Sequence, residues 1–131
     1  MMRALVTGSA QGIGLAIADT LVAQGYGVVG ADIQAQEGAG FEVLELDVSD
    51  PGACRRAVAE LGHVDVLVNN AGVLVEKSPE SLSDEEFDLT MAVNLRAPFV
   101  LSVAVSDGMK ERRWGRIVNI SSVGARTGGI S

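Results

Sequence analysis

Five short runs of apolar, strand-forming residues limit what this chain can become: RALVT (3–7), GVVGAD (27–32), FEVLELDV (41–48), VDVLVNN (64–70) and RIVNIS (116–121). They are close to continuously apolar and do not alternate with polar residues. Strands of that kind are buried on both faces, as in a parallel sheet covered by helices on each side. The segments between them supply the helices. GIGLAIADTLVAQ sets Ile13, Ile17 and Leu21 at helical spacing, and Gly25 stands where a terminating glycine belongs. In DPGACRRAVAEL (50–61), Asp50 can cap, Pro51 suits the first turn, and Arg55 and Arg56 are expected to lie outward. Ser83 with Glu86 makes a capping box opening a long helix over about 84–112, with a bend expected at Ala97-Pro98. The order β-α-β-β-α-β-α-β predicts a doubly wound α/β sheet in one domain spanning 1–131. Hydrophobic residues make up 47% of the chain, enough to build its core.

Charge and the rare residues exclude several chemistries. The net charge of −7 argues against a nucleic-acid partner, which needs a basic face. An anionic ligand would have to be held by local backbone dipoles. Cys54 is the only cysteine, so no internal disulfide and no cysteine-cluster metal site can form. His63 is the only histidine and reads as a solvated residue of the turn GHVD, a poor base for a Ser-His-Asp triad. MMRALVTG lacks the apolar core of a signal peptide, and no apolar run reaches the ~18 residues of a membrane span. A soluble cytoplasmic protein with no membrane partner is expected.

The strongest chemical signal is T7-G8-S9-A10-Q11-G12-I13-G14, directly between the first strand and helix. Gly8 allows the sharp turn, Gly12 lets backbone approach a pyrophosphate, and Gly14 lets the helix pack on the sheet. The helix N-terminus then holds the phosphates. Asp32 ends the second strand near the offset at which an acid meets the adenine-ribose hydroxyls. It would repel a 2′-phosphate, and Gln11 adds no compensating positive charge. NAD is therefore expected in preference to NADP. A plain tight turn and a strand-ending Asp32 are the alternative.

Together the TGxxxGIG turn, Asp47-Val48, Asn69-Asn70-Ala71-Gly72, Asn94 in the long helix and VNISS before a glycine resemble the short-chain dehydrogenase/reductase family, from residue 3 to about 124. The resemblance implies a Rossmann-like sheet, truncated here after the fifth strand, and an oxidoreductase moving a hydride between NAD and an alcohol or ketone. It implies cofactor contacts from Gly8, Gln11, Gly12, Ile13 and Gly14. Asp47 would bind the adenine amino group, with Val48 backing the ring. Asn70, Ala71 and Gly72 would lie beside the adenine ribose, while Asn69 ties strands together. Asn94 would interrupt the helix and hold a water for proton relay, and Ser122 would be the catalytic serine, with Ser121 structural.

The chain departs from the family pattern at one point. The family's mechanism uses a tyrosine about thirteen residues past the serine, near position 135, and a lysine four residues later. Tyr26 is the only tyrosine and lies on the wrong side of the motif order, and neither Lys77 nor Lys110 has the required spacing. The chain is therefore expected to be the N-terminal half of a longer enzyme, inactive by itself. A non-catalytic nucleotide-binding module and a glycine-loop methyltransferase are the competing readings. Phe87, Met91, Leu95 and Phe99 recur along the long helix and read as core by pattern, while the resemblance implies a homodimer or homotetramer built through that helix. The loop VLVEKSPESL (73–82) offers no distinctive substrate chemistry.

Overall fold

The computed structural model describes residues 1–128. Strands β1 (Arg3–Thr7), β2 (Gly27–Asp32), β3 (Glu42–Glu45), β4 (Val66–Asn69) and β5 (Arg116–Asn119) form one sheet in the order β3-β2-β1-β4-β5, and every pairing is parallel. Leu5 of β1 sits between Val29 and Leu67. The helices are α1 (Gly12–Ala23), α2 (Pro51–Leu61), α3 (Asp84–Met91), α4 (Ala97–Arg112) and the short α5 (Gly124–Thr127).

Both faces of the central strands β1, β2 and β4 are covered, which is why those strands are almost wholly apolar. On one face Leu5, Val29 and Leu67 pack with Cys54, Ala57 and Val58 of α2 and with Val100, Leu101 and Val105 of α4. On the other, Ala4, Val6 and Val68 meet Ala18, Ile17 and Leu21 of α1. β3 and β5 are the edge strands, and Ile117 and Val118 of β5 stay exposed.

The helix ends follow local chemistry. Asp50 accepts the Ala53 N–H at 3.0 Å. Ser83 Oγ accepts the Glu86 N–H, and Glu86 accepts the Ser83 N–H in return, each at 3.1 Å. At the end of α1 the cap is Gln24, and Gly25 follows with φ +92°. β3, β4 and β5 are shorter than their apolar runs because the outer residues leave the ladder. In the β3 case Asp47 Oδ1 accepts both the N–H and the hydroxyl of Ser49, turning the chain toward the Asp50 cap.

Two expectations about the long helix need correction. The simple bend at Pro98 is instead a π-helical turn over Ala92–Arg96, in which the Ala97 N–H reaches back five residues to the Ala92 carbonyl. Pro98 has no N–H for the Asn94 carbonyl and its ring crowds that group, so the preceding turn widens. The stripe Phe87, Met91, Leu95 and Phe99 is not core: these side chains are 53%, 40%, 61% and 67% exposed. The helix carries two apolar faces, and α2 with the sheet takes the one bearing Ala97, Val100, Leu101, Val105 and Met109. Asp84–Arg112 is long and apolar enough to cross a membrane by length and composition alone.

His63 lies at the surface in the turn before β4. It is about half exposed, and its ring lies 3.4 Å from Asp65, which accepts the Arg3 N–H at 2.8 Å. This cluster precedes β4 at the N-terminal edge of the sheet, whereas Ser122 follows β5 at the opposite edge. A triad joining the two is excluded by that separation.

Candidate functional site

Parallel strands bring the loops after β1, β2, β4 and β5 to one edge of the sheet. The strand order reverses between β1 and β4, the point at which sheets of this kind present a ligand crevice. Most of the sequence-predicted residues gather around it.

The glycine turn forms its floor. Gly8 and Gly12 have φ of +69° and +58°, conformations glycine adopts at little cost. A Cβ on Gly12 would meet nothing within 4 Å, so the backbone is open to a ligand on that side. Gly14 is the reverse case: a Cβ would overlap the Gly8 carbonyl and the Asn70 side chain. Gln11 precedes α1 in extended conformation without capping it through its side chain, and no acidic residue occupies the first turn. The N–H groups and positive dipole end of α1 thus face outward without a competing anion. Ile13 in that turn is 65% exposed.

Asp32 stands beside the turn. One carboxylate oxygen accepts the Ala10 N–H at 3.0 Å and the other the Gln34 N–H at 2.9 Å. Both oxygens keep a free lone pair for a ligand hydroxyl. The open backbone, the uncapped helix start and the half-buried acid fit a dinucleotide: α1 would take its phosphates and Asp32 its ribose.

Across the crevice, Thr7 holds the β4 loop. Its hydroxyl accepts the N–H groups of Asn70 and Ala71, both at 3.0 Å, and Asn70 Nδ2 donates to the Gly8 carbonyl at 3.2 Å. Asn69 ties β4 to β5 by donating to Asn119 Oδ1 at 2.9 Å, and its own buried Oδ1 has no partner among the described residues. Asn94 lies in the π turn. Its Oδ1 accepts the Val73 N–H and its Nδ2 donates to the Val73 carbonyl, both at 2.8 Å. A Cβ on Gly72 would lie 3.4 Å from Asn94 Oδ1. The helix is therefore opened where its asparagine grips the loop after β4.

Asp47 and Val48 part company. The Asp47 carboxylate is exposed at the end of β3, but the Val48 side chain packs into the core beside Cys54. Val48 lies in the turn that follows β3, 8% exposed. Ser122 is exposed in the loop after β5, where its Oγ accepts the Gly124 N–H at 3.2 Å, and among the described residues its own O–H has no acceptor. Its immediate contact is a turn cap.

Sequence reasoning assigned no role to three residues here. Thr7 could have been found as the one polar residue closing an apolar strand. Ser9 and Gln36, which bond to each other over 27 positions, carry no local signal.

Known proteins share this arrangement. The model of the family described as short chain dehydrogenase matches residues 2–131. The 3-oxoacyl-(acyl-carrier-protein) reductase of Salmonella typhimurium is 41% identical over 92% of this chain, which spans 54% of that relative's length. A 4-hydroxyisoleucine dehydrogenase complexed with NADH superposes with a TM-score of 0.90 at 30% identity, over 96% of this chain and 58% of the other. A metagenomic short-chain oxidoreductase in complex with NADP does so with 0.87 at 33% identity, over 93% and 62%. With the same fold, the same turn and the family's motifs in order along nearly all its length, the chain belongs to the short-chain dehydrogenase family.

Proposed function

We propose that these residues form the cofactor-binding part of an oxidoreductase that transfers a hydride between NAD(H) and an alcohol or ketone. The observation that carries the NAD preference is Asp32, fixed on both oxygens at the lip of a glycine turn without a basic residue. Its charge would lie against a 2′-phosphate, at a cost magnified by partial burial. The solved relatives include one with NADH and one with NADP, so family membership alone does not choose.

In this reading the nicotinamide supplies or accepts the hydride. Ser122 donates its hydroxyl proton in a hydrogen bond to the substrate oxygen and stabilises the charge that develops there. Asn94, anchored on Val73, positions a water for proton transfer. A Ser-Tyr-Lys mechanism also uses a tyrosine and a lysine, which these 131 residues do not carry at the family's spacing. An open groove of about 780 Å³ lined by Leu89, Met91, Leu95 and Phe99 runs along the exposed helix stripe, and supports a homodimer or homotetramer formed there.

Competitive titration with NADH and NADPH tests the cofactor reading. NADH should bind at least tenfold more tightly, and Asp32→Asn should narrow that gap. Tighter NADPH binding would refute the preference. Binding of NADH by the intact polypeptide with no carbonyl reduction would favour a non-catalytic module instead.

A further inference from the structure

The β2–β3 connection, residues 33–41, is irregular and would pass for a simple linker. One side chain in it does more than link. Gln36 Nε2 donates to the Ser9 carbonyl at 3.0 Å, and Gln36 Oε1 accepts the Ser9 hydroxyl at 3.1 Å. A carboxamide is suited to this, since it offers one donor and one acceptor in fixed geometry. A glutamate would keep only an acceptor, and a lysine only a donor.

Ser9 is fully buried. Its side chain occupies the space left by the missing Cβ of Gly30, which would otherwise overlap it. The next residue, Ala10, is held through its N–H by Asp32, and Gly8 donates to the Ala31 carbonyl at 2.7 Å. Residues 8–10 are thus pinned by β2 beneath, by Asp32 at the side and by Gln36 above. Immediately after them comes the backbone open to the ligand at Gly12.

We propose that Gln36 is a positioning residue for the cofactor: by clamping Ser9 it holds the glycine turn in the shape that presents α1 to the phosphates. It acts through Ser9 and Ala10, and lends its effect to the adenosine side of the site together with Asp32. A turn preorganised in this way binds without ordering itself first, which raises affinity. This inference rests on the dinucleotide reading above.

NADH titration of the full chain, with amide hydrogen exchange of residues 8–12, tests it. Gln36→Ala should weaken NADH binding roughly tenfold and speed exchange of the Ala10 amide by a similar factor, because the loop must now close at its own cost. Ser9→Ala loses only the hydroxyl bond and should weaken binding less. The double variant should bind no more weakly than Gln36→Ala alone, since both act through one contact. In turnover the loss should appear in KM for the cofactor with kcat unchanged, a split that general loosening of the fold would not give. Unchanged NADH affinity and unchanged exchange in Gln36→Ala would overturn the proposal while leaving the dinucleotide reading intact. Additive losses in the double variant would overturn it as well. Failure of the unaltered chain to bind NADH would overturn both.

Discussion

Thr7→Val replaces a hydroxyl with a methyl of nearly the same shape, at a position only 2% exposed. Core packing alone would call this harmless or favourable, because valine is the better strand former. The hydrogen bonds argue otherwise. The Thr7 hydroxyl accepts two backbone N–H groups, from Asn70 and Ala71, and valine would leave both without a partner. A fully buried orphan donor costs about 1–3 kcal/mol. Asn70 and Ala71 are only half-buried, so each belongs at the low end, and the total is about 2 kcal/mol. Thr7→Ser keeps the hydroxyl and loses one buried methyl, at about 1 kcal/mol. Urea unfolding of the full chain should therefore rank the wild type first, Ser next and Val last. With a urea dependence of about 1.5 kcal/mol per molar, the Val midpoint should fall by roughly 1.3 M and the Ser midpoint by about half that. NADH affinity should fall in the same order, because the same bonds set the β4 side of the crevice. A Thr7→Val protein at least as stable as Thr7→Ser would refute the argument.

Three further outcomes follow from local chemistry. The Lys77 ammonium, at 2.8 Å, with the backbone and hydroxyl of Ser83, holds the Glu86 carboxyl down to about 2. Since the folded value lies below the ordinary 4.5, the contact stabilises above that pH and its benefit fades as pH falls toward 2; Lys77→Met should bring the Glu86 titration seen by NMR back toward 4.5. Asn94→Ala removes both bonds to Val73, and should render the loop 73–82 severalfold more sensitive to limited proteolysis while the β1–β2 ladder keeps its exchange protection. Burial, reinforced by the Asp50 and Asp47 carboxylates, pushes the Cys54 thiol up, so iodoacetamide at pH 8 should add no mass to the native protein and one adduct to the unfolded one; rapid alkylation of the native protein would contradict its buried position.

The parallel sheet, its helices and the glycine turn were legible in the residues themselves. Continuous apolar strands can be satisfied only between two helical layers, a capping box encodes its own geometry, and glycines at a strand–helix turn answer to backbone sterics within a few positions. The Asp32 offset belongs to the same class, because the length of one strand-helix-strand unit brings it to the turn. Tertiary structure decided what depends on distant partners. Two apolar faces on the helix from Asp84 to Arg112 are equivalent in sequence, and only α2 and the sheet choose which is buried. Val48 and Asp47 are neighbours in sequence, yet the turn after β3 puts one in the core and leaves the other at the surface. Pro98 announces a break, but its form is a π turn that aims Asn94 at Val73, 21 residues away. The clamp of Gln36 on Ser9 spans 27 residues and has no periodicity, cap or turn signature behind it. Periodicity and local stereochemistry can be read along a chain, whereas a hydrogen bond between two loops exists only once the sheet has brought their ends together.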